Sequence, residues 1–131
     1  MKKRKRKPNK GTKAYEIWKA KLDLKKKDQV WSKTVRERDG NKCVLCGESP
    51  KALNAHHILP KEFYPTLRHE EMNGISVCPM KCHRREAHWN GVVFAIWLQE
   101  NRPEQWAWVV ANRKLRMEVK KVKKVKGEGG E

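Results

Sequence analysis

The sequence predicts a small α+β fold that is held together by a bound metal ion. Two close cysteine pairs, Cys43/Cys46 and Cys78/Cys82, suit a structural metal site, because each pair supplies two thiolate ligands at short spacing. Short apolar runs near these pairs suit strands, and the flanking segments have helical spacing. A chain of 131 residues is long enough for one domain with a modest core.

Two helices are predicted before the first cysteine pair. Residues 14–27 form the first, because their aromatic and apolar side chains recur on one face. Asp28 is suited to cap a second helix. The dipeptide Asp39-Gly40 ends that helix in a turn.

Two strands and further helices are predicted after the first cysteine pair. Residues 53–59 suit a strand that Pro60 stops, and residues 75–77 suit a second strand after the turn at Asn73-Gly74. The remaining predicted helices cover residues 82–89, residues 93–98 and a last segment that starts at Pro103.

Bulky side chains in these helices are predicted to form the core. On the last helix, Trp106, Val109 and Val110 share one face. Most of the six tryptophans are predicted to be core residues because they recur at helical spacing, with stacking on nucleic-acid bases as the alternative.

The net charge of +17 lies mostly in the two ends of the chain. We predict a disordered basic arm over residues 1–12, a single domain over residues 13–112 and a basic tail over residues 113–131. Such ends bind polyanions without reading sequence, and a solubility role is the alternative. The predicted DNA-binding residues of the arm are Lys2, Lys3, Arg4, Lys5, Arg6 and Lys7.

The sequence predicts a cytoplasmic protein, or a nuclear one if the source is eukaryotic. No apolar run approaches the ~20 residues of a membrane span. The basic start lacks the apolar stretch of a signal peptide. In a reducing compartment, close cysteine pairs favour zinc over disulfides.

A structural Zn²⁺ held by Cys43, Cys46, Cys78 and Cys82 is therefore predicted. Gly47 is expected to let the backbone fold close to the sulfurs. One alternative is four free buried thiols. In another, His83 replaces Cys82 as a zinc ligand and is then lost to catalysis.

The region between the cysteine pairs contains adjacent histidines, His56 and His57. The order Cys-x2-Cys, His-His, Asn, Cys, Cys-His over roughly residues 31–89 resembles the HNH endonucleases, the ββα-metal or His-Me finger nucleases. The short, zinc-stapled, phage-like members are the most similar, which suggests a bacterial or phage-encoded protein. The resemblance implies a ββα-metal core with zinc knuckles, flanked by helices.

Neighbouring residues on a strand point to opposite sides, so His56 and His57 are expected to have different roles. The resemblance implies that His56 binds a divalent cation, Mg²⁺ or Mn²⁺, and that His57 is the general base. It maps a loop-pinning asparagine, which fastens a loop between strand and helix, to Asn73. It maps a second cation ligand on a helix to His83. The cation would contact a phosphate oxygen and the leaving 3′ oxygen.

The residues after His83 complete the predicted site. Arg84 and Arg85 are expected to hold neighbouring phosphates. Many relatives carry another histidine four positions after the first on this helix, whereas this chain has Ala87 and then His88. Five residues turn a helix by about 500°, so either the helix is irregular or His88 is not a ligand. The second cysteine pair also has one residue more than the usual spacer.

The predicted function is metal-dependent hydrolysis of DNA phosphodiester bonds, leaving 5′-phosphate and 3′-hydroxyl ends. One alternative is a zinc-finger DNA-binding protein without catalysis, in which His57 would have no role. A second alternative is an RNA-directed nuclease. DNA is the predicted partner, and the sequence does not indicate an oligomeric state.

Overall fold

The computed structural model describes residues 3–79, 81–83 and 90–118 and has a mixed α+β architecture with a two-stranded sheet. Within these residues, no helix is both long and apolar enough to cross a membrane. The helices and strands are α1 (Lys13–Arg38), β1 (Asn54–His57), β2 (Gly74–Val77), α2 (Gly91–Asn101) and α3 (Pro103–Asn112).

The first helix, α1, is continuous over Lys13–Arg38, so the prediction of two helices separated at Asp28 is wrong. Its N-cap is Thr12, whose hydroxyl accepts a hydrogen bond from a backbone N–H of the first turn. The segment has no glycine or proline to interrupt it. Asp28 is accommodated inside the helix because its carboxylate binds the side chains of Arg68 and His69.

The sheet consists of β1 and β2, which pair antiparallel with His57 opposite Gly74 and His56 opposite Ile75. The second strand agrees with the prediction to within one residue, whereas β1 is shorter than the predicted 53–59. Every residue of β2 is buried, so this strand lies at the centre of the fold.

Helix α1 packs closely against the start of β2. A Cβ atom built on Gly74 would lie 2.6 Å from Trp31 Cζ2 and 2.7 Å from Val35 Cγ2. Both side chains belong to α1 and are buried, so neither is a flexible surface group. The missing side chain of Gly74 therefore sets the distance between helix and sheet.

We expect Gly74→Ala to lower the free energy of unfolding by about 1–3 kcal/mol, the usual effect of overpacking a core. Urea unfolding of the purified variant measures this change. Gly91→Ala is the matched control, because a Cβ at Gly91 meets nothing within 4 Å. Equal stabilities of the two variants would contradict this packing.

Helix α3 begins at Pro103, as predicted, but its buried residue is polar. Gln105 is 5% exposed, and its amide donates hydrogen bonds to the carbonyl oxygens of Met72 and Gly74. Val110, which was predicted on the buried face, is 38% exposed. Compared with the predicted orientation, the helix is rotated about its axis. Gln105, rather than Val110, therefore faces the backbone carbonyls beside β2.

Asp39 joins α1, β2 and α3 at one point. Its side chain is 1% exposed and accepts hydrogen bonds from the guanidinium groups of Arg38 and Arg102 and from the N–H of Ser76. Burial raises the pKa of this carboxyl, but the three donors outweigh burial and lower it overall. The buried carboxylate is thus fully paired.

The tryptophans are less buried than predicted. Trp31 is 6% exposed and is the one buried tryptophan among those in the described residues. The prediction that most of them are core residues is confirmed in part, since Trp97 and Trp108 are half-buried and pack against the core. The half-buried ones are Trp18, Trp97, Trp106 and Trp108.

The first residues of the predicted basic tail lie against the loop that joins the two strands. The hydroxyl of Tyr64 donates a hydrogen bond to the carbonyl of Arg113, 2.7 Å away. The N–H of Met117 donates to the carbonyl of Phe63, and the Arg116 guanidinium lies 4.4 Å from the Phe63 ring centre. Residues 119–131 of the predicted tail lie outside the described residues.

Candidate functional site

The four cysteines lie together, as the sequence predicts. Their sulfur atoms are all within 4.8 Å of one another, and Cys46 Sγ and Cys78 Sγ are 3.9 Å apart. Four sulfurs around a zinc ion at 2.3 Å are about 3.8 Å apart, so the cluster can hold a metal ion such as zinc. None of these four cysteines forms a disulfide.

The backbone of the first cysteine pair folds tightly around its sulfurs. The N–H of Gly47 donates to the carbonyl of Cys43, and Gly47 has a φ of 76°, which favours glycine as predicted. The N–H of Val44 donates to the carbonyl of Ser76 in β2. The cysteine cluster is thereby fixed to the sheet.

The second cysteine pair accommodates its extra residue through a wide turn. The N–H of His83 donates to the carbonyl of Cys78, five residues earlier, at 3.0 Å. This is the hydrogen bond of a π-helical turn, which absorbs one residue more than an α-helical turn. Cys82 keeps its place in the cluster, which favours the four-cysteine site over the alternative in which His83 replaces it as zinc ligand.

The thiols of the cluster differ in acidity. Burial raises the pKa of Cys43, but backbone N–H groups of Cys46 and Cys78 hydrogen bond to its sulfur and lower the pKa to about 7. Burial and the neighbouring thiols raise the pKa of Cys82. Four thiolates at this spacing repel one another, and a divalent cation offsets that repulsion.

The adjacent histidines contact different parts of the molecule, as their alternation on β1 predicts. His56 is 7% exposed, and its ring centre lies 5.0 Å from that of His83 and 5.5 Å from that of Phe94. His57 instead stacks on Trp31 of α1, with ring centres 4.0 Å apart and planes 9° apart. The two imidazoles therefore contact different residues, which is consistent with different roles.

One ring nitrogen of His57 is fixed by a backbone carbonyl. Nε2 lies 2.9 Å from the carbonyl oxygen of Arg68. A carbonyl oxygen only accepts, so Nε2 carries the hydrogen and Nδ1 is the basic nitrogen of the neutral ring. Trp31 holds the face of the same ring and is itself held by a hydrogen bond from its indole N–H to the carbonyl of Glu70.

The environment of His57 favours the neutral imidazole. Burial is the largest cause that lowers its pKa, and the charges of Lys61 and Arg68 lower it further. The hydrogen bond to the Arg68 carbonyl acts in the opposite direction but does not reverse the shift. The ring is thus prepared to accept a proton at neutral pH.

His83 meets β1 through Asn54 as well as through His56. The Asn54 side-chain nitrogen lies 3.0 Å from His83 Nδ1. Asn54 and His56 are two residues apart on β1 and so share one face of the strand. The amide nitrogen only donates, so Nδ1 of His83 accepts this hydrogen bond and Nε2 carries the hydrogen of the neutral ring.

Asn73 fastens the loop between β1 and β2, rather than the strand–helix loop that the resemblance implies. Its side-chain oxygen accepts from the N–H of Leu59, and its nitrogen donates to the carbonyls of Leu59 and Leu67. Asn73 is fully buried. The three hydrogen bonds hold the loop that carries the Arg68 carbonyl.

We expect Asn73→Ala to lower the free energy of unfolding by about 2–4 kcal/mol, because buried backbone groups of Leu59 and Leu67 lose their partners. Urea unfolding monitored by circular dichroism measures the loss. Asn73→Asp is the matched variant, since it keeps an acceptor for Leu59 but loses the donor. A stability of Asn73→Ala equal to that of the wild type would contradict the role of this side chain.

Asp28 extends the support of His57 into α1. Its carboxylate accepts hydrogen bonds from Arg68 Nε at 2.8 Å and Nη2 at 2.6 Å, and from His69 at 2.8 Å. The Arg68 guanidinium is the first cause that lowers the pKa of Asp28, to about 2. The residue whose carbonyl binds His57 is therefore held from both its side chain and its backbone.

The histidines line a cleft of about 750 Å³ between α1, β1 and the two C-terminal helices. The wall from α1 includes Asp28, Trp31 and Ser32. Sequence analysis missed Trp31, Asp28 and the Arg68 carbonyl as parts of this site. Asn54 had a sequence signal, since it precedes His56 by two residues on a predicted strand.

Several predicted site residues lie outside the described residues, namely Lys2, Arg84, Arg85 and His88, together with most of the helix predicted over residues 82–89. The arm residues from Lys3 to Lys7 are exposed. In the described part of the chain, the four cysteines are the one group of three or more metal-binding side chains. His56 and His83 contact each other, with ring centres 5.0 Å apart, and so make a group of two such side chains.

Comparisons of the chain with protein-family models, with curated proteins and with solved structures found no match.

Proposed function

We propose that this protein is an HNH-type endonuclease that hydrolyses DNA phosphodiester bonds with Mg²⁺ or Mn²⁺. The observation that carries the proposal is the state of His57. Its Nε2–H is bound by the Arg68 carbonyl, its lowered pKa favours the neutral ring, and it lines the same cleft as His56 and His83. A fixed neutral imidazole beside a possible cation site suits hydrolysis by general-base catalysis.

In the proposed reaction, a water molecule attacks the phosphorus atom while His57 Nδ1 takes its proton. The new phosphorus–oxygen bond replaces the bond to the 3′ oxygen, which leaves with its electron pair and is protonated from solvent. The products carry a 5′-phosphate and a 3′-hydroxyl. Trp31 and the Arg68 carbonyl keep the His57 ring in one orientation during the proton transfer.

His56 and His83 are the residues proposed to hold the cation. Two imidazoles that bind one ion at ~2.1 Å have ring centres roughly 5 Å apart, and the rings of His56 and His83 are 5.0 Å apart. When bound, the cation supplies positive charge that offsets charge developing on the phosphate and on the leaving oxygen. Asn54 contacts Nδ1 of His83, and cation binding through Nε2 requires the Asn54 amide to turn its oxygen toward Nδ1, which then donates to it.

The basic ends support a nucleic-acid substrate. The arm residues from Lys3 to Lys7 are exposed, and the chain carries 32 Lys and Arg residues against 15 acidic ones. Such a balance favours binding to the phosphate backbone. We propose that Arg84 and Arg85 hold phosphates next to the scissile one, because they follow His83 directly in sequence.

Supercoiled plasmid incubated with the purified full chain tests the proposed activity. We expect nicked or linear products with Mg²⁺ or Mn²⁺ and none with EDTA, with circular dichroism checking that EDTA leaves the chain folded. A His57→Gln variant purified in the same way controls for contaminating nucleases. End-labelling and ligation of the products identify the 5′-phosphate.

A non-catalytic zinc-module protein is the second candidate, because the four-cysteine cluster supports it equally well. Plasmid binding without cleavage, under any divalent cation, would favour that candidate and reject the nuclease. Duplex RNA offered in parallel tests the RNA-directed alternative. Preferential cleavage of RNA would reject DNA as the substrate.

A further inference from the structure

The N-terminal half of α1 contributes no buried side chain to the core of the protein. The buried residues of this helix are Trp31 and Val35, both near its C-terminal end, and residues 13–30 have no buried side chain. A long exposed helical segment thus extends from the wall of the cleft. Lysines occur all around this segment, and Lys21 and Lys25 are the two on the side of the cleft.

One face of the segment continues the cleft wall. Ser32 lines the cleft, and Lys21 and Lys25 lie about 20° on either side of it around the helix axis. Along the axis they lie about 17 and 10 Å from Ser32. Both lysines are exposed. A nucleic-acid strand that lies in the cleft and follows α1 would pass over Lys21 and Lys25.

Two of the three acidic residues of the segment lie on the opposite face. Glu16 and Asp23 are about 160° and 180° from Ser32 around the axis. The carboxylate of Asp28, one turn from Lys25, is already bound by Arg68 and His69. The cleft side of the segment is therefore basic and without an available acid on its own helix.

Lys21 and Lys25 stand four residues apart, so they face each other as like charges. Such a pair destabilises a helix unless an anion lies between them. A phosphate backbone supplies that anion. The basic arm approaches the same end of the helix, where Lys7 Nζ lies 5.2 Å from the Trp18 ring centre.

We infer that the Lys21–Lys25 face of α1 is a track for the nucleic-acid backbone that leads into the cleft. The inference rests on the proposed function for the identity of the polyanion. It adds a contact surface outside the arm and outside the residues proposed to act on the scissile bond. Its occupant is the phosphate backbone of duplex DNA.

The test compares two double variants with equal net charge in the full chain. Lys21→Gln/Lys25→Gln removes the track, and Lys19→Gln/Lys26→Gln removes two lysines about 140° and 120° away from Ser32. Fluorescence anisotropy with a labelled DNA duplex, without added divalent cation, gives Kd against log salt. Glutamine is a good helix former and all four lysines are exposed, so both variants should fold.

For the track variant we expect the salt slope to fall by about 1.8 and Kd at 0.1 M salt to rise on the order of 10–100-fold. The control variant should change Kd by less than about threefold, since its lysines make no phosphate contact. Lys21→Arg/Lys25→Arg should restore the wild-type slope. Circular dichroism should show an unchanged or slightly raised thermal midpoint for the track variant, because the repulsion between the two lysines is removed.

Equal slopes for the two double variants, or no binding of the duplex by the wild type, would overturn the track. This outcome is distinguishable from failure of the proposed nuclease. A wild-type protein that binds with the expected difference between variants but never cleaves would retain the track and reject the catalytic proposal. If the wild type cleaves DNA but the two double variants have equal salt slopes, the catalytic proposal is retained and the track is rejected.

Discussion

Cys43→Ser is expected to leave the chain unfolded or aggregated at 25 °C. Structural zinc contributes an apparent 10–16 kcal/mol to the folding of small zinc domains, whereas whole proteins are stable by about 5–15 kcal/mol. Cys43 is 1% exposed and its cluster is tied to β2, so loss of the ion would open the centre of the core. Circular dichroism and metal analysis of purified protein measure the effect.

Ser49→Ala is the control for this experiment, because Ser49 is an exposed residue of the same loop. It should leave both the spectrum and the zinc content unchanged. We expect about one zinc per wild-type chain. A folded Cys43→Ser variant, or folded wild-type protein that contains no zinc, would contradict a structural metal at the four cysteines.

His57→Gln is expected to lower the rate of phosphodiester hydrolysis by roughly 10²–10⁴-fold at saturating DNA, the usual contribution of a general base. Glutamine keeps a donor for the Arg68 carbonyl, so folding and zinc content should persist. Thr66→Ala is the control, since Thr66 is an exposed residue of the adjoining loop. Wild-type rates in His57→Gln would reject the assignment of the base.

The pH profile gives a second measurement of the same group. Burial lowers the pKa of His57 below the ordinary 6.5, and the neutral ring is the active form. Activity should therefore be present above pH 6.5 and be lost only as the pH falls through the lower, folded-state value. A rate that falls already above pH 6.5 would contradict the neutral, buried base.

The cysteine cluster was predictable because the ligand chemistry of cysteine pairs strongly restricts how they can be arranged. Two short-spaced cysteine pairs have few stable arrangements, and the four sulfurs are close together as expected. The different surroundings of His56 and His57 were predictable for a similar reason, since alternation on a strand is a local property. The second prediction depends on adjacent residues, whereas the first depends on the ligand chemistry of two short-spaced pairs that are 32 residues apart.

The errors arose where a distant residue decides between two local structures. Asp28 suits a helix cap as well as a helix interior, and the guanidinium of Arg68, 40 residues away, selects the interior. Gln105 was not among the predicted core residues, and the carbonyls of Met72 and Gly74 that it binds lie 33 and 31 positions earlier. Local spacing contains no information on such partners.

The support of His57 was missed for the same reason. Its orientation depends on a backbone carbonyl and on the indole of Trp31, which precedes it by 26 positions. A backbone carbonyl has no sequence signature at all. Aromatic stacking on a histidine becomes visible only when helix and sheet are placed against each other.

Cys82 and His83 are consecutive residues in the π-helical turn, yet Cys82 belongs to the cysteine cluster whereas His83 lines the cleft. One peptide bond joins the cysteine cluster to the pair of imidazoles in the cleft, so little backbone lies between them to absorb a displacement. The positions of the four sulfurs and of the His56–His83 pair are therefore coupled. Oxidants that couple these thiols should therefore displace the histidines of the cleft without reacting with them, and by thermodynamic reciprocity a ligand that binds in the cleft should raise the affinity of the four cysteines for zinc.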